Sequence, residues 1–448
     1  MFEFKTLTRH AGTVLVGQLA VMAFSVTDTI VAGRHSGAAL AALSVGTAIF
    51  MSVFIGLMGV MQALLPVWAE LHGARRGPEL GRSVRQALYL CALTMGAGLI
   101  VLLFPGPVLR WTEVPEPLQA VVKEYLAVLA CALPPALLFR IYGTLNQSLG
   151  KPLLVTWLQI GSLAVKVPLS IWFAFGGFGL EAHGVVGCAW ATLVVHYTMM
   201  FLALWLLRTQ PLYRPYRIWA PLERPDWHEI RRFARLGIPG GLAILVEVSS
   251  FTLMALFIAR QGVIASASHQ ITSNLTAVLY MIPLSMAIAT SARASYWLGA
   301  RNASKARAAI RTGFKLTLMM ALGCALLLLL ARESIASIYA ATPAVVALAS
   351  ALLAWGAVFH VADAIQALCV FVLRCYRVTV APLLVYCVLL WGVGLTGGYV
   401  LAYEGIGYLP ATHSPQSFWV AGSAALMFTA LVFVAILWRS VRRGLPPA

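Results

Sequence analysis

Long uncharged runs organise this chain. From Ala11 to Thr27 there is no charged residue, and comparable runs recur to the carboxyl end. A helix needs ~20 mostly apolar residues to cross a bilayer. Twelve segments meet that length, at 11–33, 40–69, 86–108, 119–149, 153–177, 184–207, 231–259, 264–298, 308–331, 344–374, 381–403 and 416–438. Several approach thirty residues, which predicts tilt or extension past the membrane. The expected fold is all-α and integral to the membrane. The Pro- and Arg-rich stretch "TQPLYRPYRIWAPLERPDWHEIRR" parts the segments six and six. It sets expected boundaries at 1–207 for an amino-terminal lobe, 208–230 for a linker and 231–448 for a carboxyl-terminal lobe.

Composition agrees with this picture. Of 448 residues 60% are hydrophobic and 10% charged, against ~25% charged in soluble domains. The net charge of +17 could suggest nucleic acid, but the basic residues fall between apolar segments and accompany no nucleic-acid motif. Topology explains them better. With both termini cytoplasmic, inner regions hold 24 of the 32 Lys and Arg, outer regions five, and Lys166, Arg140 and Arg293 lie within spans. That asymmetry follows the positive-inside rule. Seven Cys lie in or beside apolar segments without CxxC spacing or a His partner, so they read as small buried hydrophobes. No cleavable leader is expected at "MFEFKTLTRHAG".

The chain also repeats itself. An offset of 226 lays "GARRGPELGRSVRQAL" (73–88) over "GARNASKARAAIRTGF" (299–314) and pairs Arg34 with Arg260; "PLLV" at 152–155 returns at 382–385. A repeat spanning six helices keeps its orientation, so the copies are parallel repeats of the transporter kind.

Charge inside the spans locates candidate chemistry. Asp28 sits in "FSVTDTIVAGR", Glu247 in "GIPGGLAILVEVSSFTLMALF" and Asp363 in "GAVFHVADAIQALCVFVLR". A carboxylate there costs ~2.5–3.5 kcal/mol on insertion scales and by default marks an ion or proton pathway. The repeat does not pair these acids: Asp28 serves the first half, Glu247 and Asp363 the second. His360 and Gln366 stand three residues either side of Asp363, on its helix face. Among the intramembrane cations, Arg140 and Arg293 could snorkel to an interface, whereas Lys166 precedes Val167-Pro168 and is harder to place. The nine His are scattered and form no HxxxH pair; no enzymatic site and no cofactor are expected.

The chain resembles the MATE (multidrug and toxic compound extrusion) transporters, in their NorM-like branch. The resemblance is carried by "VTDTIVAG", "GLMGVMQALLPVWAELHGARR", "RIYGTLNQSLGKP", "FGGFGLEAHGVVGCAWAT", "RLGIPGGLAILVEVSSF", "SHQITSNLTAVLYMIPLSMAIATSARASYWLGAR" and "ADAIQALCVFVLRCYRVTVAP", in order along nearly the whole length. It implies a V-shaped pair of six-helix bundles that alternate between inward and outward openings. It further implies export of cationic, often polyaromatic drug-like compounds in exchange for Na⁺ or H⁺, by a monomer in a bacterial inner membrane with lipid as its only other partner. Residue by residue, Asp28 matches the family's first-helix acid, and Glu247 and Asp363 match the acids of the second-lobe cation site. Tyr280, Phe54 and Phe359 are candidates for stacking on flat cations, with Gln270 and Asn274 as polar companions in a cavity.

Two positions depart from the family pattern. The repeat partner of Pro239 is Thr13, so the first helix lacks an early proline. Lys166 stands where relatives often carry Asn near the first-helix acid, which suggests an intramembrane pair with Asp28. The alternative function is a flippase for lipid-linked oligosaccharides, for which Arg140 and Arg293 would be the anion-holding groups.

Overall fold

The computed structural model describes residues 2–111, 116–177, 179, 181–340, 342–405 and 410–444. The helices are α1 (Phe2–His35), α2 (Gly37–Gln62), α3 (Leu65–Gly73), α4 (Gly77–Leu103), α5 (Gly106–Trp111), α6 (Glu116–Ser148), α7 (Leu153–Phe175), α8 (Gly184–Thr209), α9 (Trp227–Ala259), α10 (Val263–Gly299), α11 (Ala303–Tyr339), α12 (Pro343–Cys375), α13 (Val380–Tyr386), α14 (Thr396–Tyr399) and α15 (Gln416–Arg443). Wide π-helical turns at Cys387–Leu395 and Val400–Glu404 carry the chain on from α13 and from α14. Among the described residues twelve helices are long and apolar enough to cross a membrane.

The boundaries differ from the expected segments where capping or proline decides them. The second segment is broken at Ala63 and Leu64, because Pro66 opens α3 and has no N–H to continue the preceding ladder. Pro239 lies twelve residues inside α9, not at its entrance. In a membrane helix such a proline is tolerated when neighbouring groups take up the freed backbone. Ser36 caps α2 by accepting from the Ala39 N–H, and Asn302 caps α11 by accepting from the Lys305 N–H.

Contacts divide the chain into two compact units, but not at the expected linker. The first unit is Thr13–Gly241 and the second is Met1–Gly12 with Leu242–Ala448. Two sets of bonds move the boundaries. The linker folds onto α4: Arg85 Nε donates to Glu223 Oε2 at 2.8 Å and Arg85 Nη1 to the Arg217 carbonyl at 2.6 Å. Tyr89 Oη donates to the Glu223 carbonyl at 2.8 Å, and Arg82 pairs with Asp226 at 3.1 Å. At the other boundary, the first turns of α1 pack on the second unit. Leu7 and Ala11 join Met286, Ala289 and Leu316 in one buried cluster. Glu3 receives Arg293 Nε at 2.8 Å, Arg293 Nη2 at 2.9 Å and Trp297 Nε1 at 3.0 Å.

Within the first unit, Met61, Leu64, Trp68, Leu80, Leu133 and Leu137 are fully buried and tie α2, α3, α4 and α6 together. In the second unit α12 is the central element, packing on α10, α11 and α15. Large apolar side chains point outward, Leu322, Leu326, Leu327 and Leu330 of α11 among them, as a hydrocarbon solvent requires. The repeat is visible in backbone geometry. Arg75 and Arg301, paired by the 226 offset, both hold the left-handed conformation, with φ of 58° and 53°, at the same turn between helices.

Candidate functional site: two buried charge clusters

In the first unit Asp28 is set among hydroxyl residues of α1. Thr27 and Thr29 donate to the carbonyls of Ala23 and Ser25 one turn back, so these polar side chains are satisfied within the helix. Across from Asp28 stand α7 and α8. Lys166 Nζ donates to Asp28 Oδ1 at 2.6 Å, to Thr192 Oγ1 at 2.7 Å and to the Cys188 carbonyl at 3.0 Å. Ser170 Oγ donates to the same Asp28 oxygen at 3.2 Å. The Lys166 side chain is 0% exposed and that of Asp28 12%. The residual exposure of Asp28 opens on a cavity of about 480 Å³, also lined by Phe24, Phe50, Phe54, Tyr125 and His196. Phe50 and Phe54 stack there with centroids 5.6 Å apart.

The second unit gathers its acids differently. Glu247 comes from α9, Asp363 and Gln366 from α12, and Tyr386 from α13. The amide nitrogen of Gln366 donates to Glu247 Oε1 at 2.8 Å and to Asp363 Oδ1 at 2.7 Å. Tyr386 Oη donates to the amide oxygen of Gln366. One amide thus spans two carboxylates and is itself oriented by a phenol. Tyr280 lies within electrostatic reach of both acids. So does Arg374 of Glu247. Arg374 counts as an inner-loop cation in the charge pattern, yet it is 1% exposed and its guanidinium lies 4.6 Å from the Phe371 ring centroid. The cluster therefore contains two carboxylates and a buried guanidinium. A void of about 30 Å³ touches Glu247, Phe251, Phe359 and Phe418, room for a water-sized guest.

The remaining candidates scatter. Phe54 lines the first unit's cavity. Phe359 is built into an aromatic cluster, 5.3 Å from Phe251 and 5.7 Å from Trp419 between centroids. Gln270 and Asn274 are exposed on α10 and bond to each other at 3.0 Å. Both intramembrane arginines have side-chain partners. Arg293 is held by Glu3, and Arg140 donates to Gln62, which in turn donates to Gln147 at 3.0 Å. Three members of the second cluster, Gln366, Tyr386 and Arg374, were not candidate site residues from the sequence. Gln366 carried a signal, its i+3 spacing from Asp363; Tyr386, in "APLLVYCVLLW", carried none. His360, one turn before Asp363, is fully buried, and neither ring nitrogen meets a hydrogen-bond partner among the described residues.

Comparison with known proteins places the chain in a family. The sequence model of MatE matches residues 14–172 and 239–400, two stretches that begin 225 residues apart, close to the internal repeat. The chain is 35% identical over 439 residues to a probable multidrug resistance protein NorM of Aromatoleum aromaticum, covering 98% of this chain and 94% of that one. It is 32% identical to the multidrug resistance protein PmpM of Pseudomonas aeruginosa, covering 98% and 92%. Among solved structures, a MATE in the straight conformation superposes with a TM-score of 0.87 at 18% identity, covering 98% and 96% of the two chains. The eukaryotic MATE transporter AtDTX14 superposes with a TM-score of 0.85 at 19% identity, covering 99% and 98%. With twelve spanning helices, a doubled six-helix plan and full-length relatives above 30% identity, the chain belongs to the MatE family, NorM-like branch, whose members are secondary transporters and not enzymes.

Proposed function

We propose that this protein is a multidrug efflux antiporter that exchanges cationic, often polyaromatic compounds for Na⁺ or H⁺, with Glu247 and Asp363 as its ion-coupling pair. The observation that carries the reading is the single amide of Gln366 shared by both carboxylates. Two like charges held that close cannot both stay ionised and unaccompanied in a low-dielectric interior. The pair therefore takes up a proton, a small cation or a cationic substrate, one in place of another. Competition for the same negative charge couples outward drug movement to inward ion movement. The coupling is limited to the ion's differential affinity for the two conformations.

The multidrug resistance proteins of Aromatoleum and Pseudomonas support the substrate class. The balance of Lys and Arg supports a cytoplasmic-membrane protein with both termini inside. The flippase alternative needs unpaired cations to hold a pyrophosphate, and Arg293 and Arg140 are engaged by Glu3 and Gln62.

The test is ethidium export from proteoliposomes under an imposed Na⁺ gradient and, separately, an imposed pH gradient. Glu247→Gln and Asp363→Asn are each expected to lower gradient-driven export by roughly tenfold or more, with the protein still inserted. Undiminished export in both variants would refute the assignment. The gradient that drives the wild type identifies the ion.

A further inference from the structure

The protonation state of Lys166 follows from counting donors. Its nitrogen has three oxygen neighbours within 3.0 Å: Asp28 Oδ1, Thr192 Oγ1 and the Cys188 carbonyl. Against an ionised Asp28, none of the three can donate back. A carbonyl has no proton, and the Thr192 hydroxyl already gives its own to the Cys188 carbonyl at 2.9 Å. The Asp28 oxygen in question also accepts from Ser170 at 3.2 Å. Lys166 must supply all three bonds, and only an ammonium has three N–H groups. No donor is left over for a ligand, and the side chain is wholly buried.

The same oxygens describe something else when the nitrogen is set aside. A carboxylate, a hydroxyl and a backbone carbonyl converge on one point from α1 and α8, which is a donor set for a hard monovalent cation. A second hydroxyl, from Ser170 of α7, steadies the carboxylate. We propose that Lys166 is a resident counter-ion: its ammonium fills a cation site in the first unit, so Asp28 takes no part in ion exchange, and removing Lys166 exposes a Na⁺-binding site at Asp28, Thr192 and Cys188. The pair leaves the first unit's cavity wall without net charge from these two residues. Exchange is thereby confined to the second unit. This last consequence rests on the antiporter reading above; the binding test does not.

The binding test uses purified full-length protein, with thermal unfolding read in Na⁺ against choline. The starting protein carries Glu247→Gln and Asp363→Asn, which silences the second cluster. Adding Lys166→Ala is expected to create a Na⁺-dependent rise in Tm on the order of 3 °C, and Asp28→Asn on top of it to abolish that rise. A well-folded Lys166→Ala protein with no Na⁺ response overturns the proposal. So does a Na⁺ response that is already present with Lys166 in place and disappears with Asp28→Asn. The wild type, run alongside, reports on the Glu247 and Asp363 assignment separately.

A transport measurement covers the case in which Lys166→Ala does not fold. Asp28→Asn and Lys166→Met alone each strand a buried charge or acceptor, and each should cut export roughly tenfold, while the double variant, neutral and similar in volume, should recover to within about threefold of wild type. A double variant as inactive as Asp28→Asn would mean that the Asp28 charge is itself exchanged, and would overturn the proposal.

Discussion

Several buried polar side chains in this protein are linked into sets, and the consequences of losing one can be ranked by what it leaves behind. Tyr386 donates to the amide oxygen of Gln366 while its ring packs against Phe433 at 5.2 Å between centroids. Tyr386→Phe keeps the packing and removes the donor. The net value of such a bond is about 0.5–1.5 kcal/mol, so export should fall a few-fold, at unchanged membrane content measured by immunoblot. Gln366→Leu removes the shared donor outright and should cost more than Tyr386→Phe in the same assay. Asp28 and Lys166 show the limit of residue-level sequence reading. A lone intramembrane carboxylate is conspicuous in "FSVTDTIVAGR", but its charge is met by an ammonium 138 positions away. The departure of Lys166 from the family pattern suggested that partner, and the approach of α7 to α1 brings the two together.

At the level of elements, the linker behaves as part of the first unit because it is bonded to α4, and the bond has a pH signature. Arg85, by hydrogen bonding, holds the Glu223 carboxyl down to about 2. A carboxyl depressed in this way contributes to linker docking in full above the usual carboxylate range. The contribution is lost as pH falls through that range toward about 2. Glu223 is partly exposed, so solvent screens the pair and the effect is local rather than global. Glu223→Gln should raise protease nicking within 208–226 a few-fold at neutral pH, and hydrogen exchange of the wild-type linker should approach the variant's as pH is lowered from 4.5 toward 2. Gly81 of α4 gives an independent handle: a Cβ there would run into the Tyr216 carbonyl, so Gly81→Ala should loosen the same segment without touching any charge. If neither variant changes nicking, the linker is not held by these contacts. The eleventh span offers a similar constraint. A Cβ on Gly398 would lie 2.7 Å from Phe418 Cδ1 and 3.0 Å from Phe418 Cα, so the close approach of α14 to α15 depends on the missing side chain.

For the molecule as a whole, two repeats of one plan carry different charge chemistry. The first holds a carboxylate matched by an ammonium; the second holds two carboxylates sharing an amide, with Arg374 nearby. Common ancestry explains the matching turns at Arg75 and Arg301, and separate substitution explains the mismatch of the acids. Orientation is a further whole-molecule property and is open to direct test. With the linker cytoplasmic, a cysteine replacing Trp219 should react with a membrane-impermeant maleimide only after permeabilisation, whereas Arg260→Cys should react in intact cells. The reverse pattern would invert the topology.

What the sequence alone determined is what solvent determines locally. Runs of apolar residues long enough for a bilayer, basic loops and a 226-residue repeat are one-dimensional signals, and they specified the twelve helices and the doubled plan, while the motifs along the chain carried the resemblance to the family. The acids were legible too, because a charge in an apolar run stands out against its neighbours. Most partners were not, since they sit on other helices at no fixed spacing; Gln366 was signalled by its spacing from Asp363, and Lys166 by its departure from the family pattern. Tyr386 at the amide of Gln366, Arg374 beside Glu247, Glu3 holding Arg293 and Lys166 on Asp28 are all decided by helix packing. The same packing set the unit boundaries at residues 12 and 241, away from the linker. Periodicity and composition describe how a segment meets its solvent; which side chains share a buried charge depends on which helices touch.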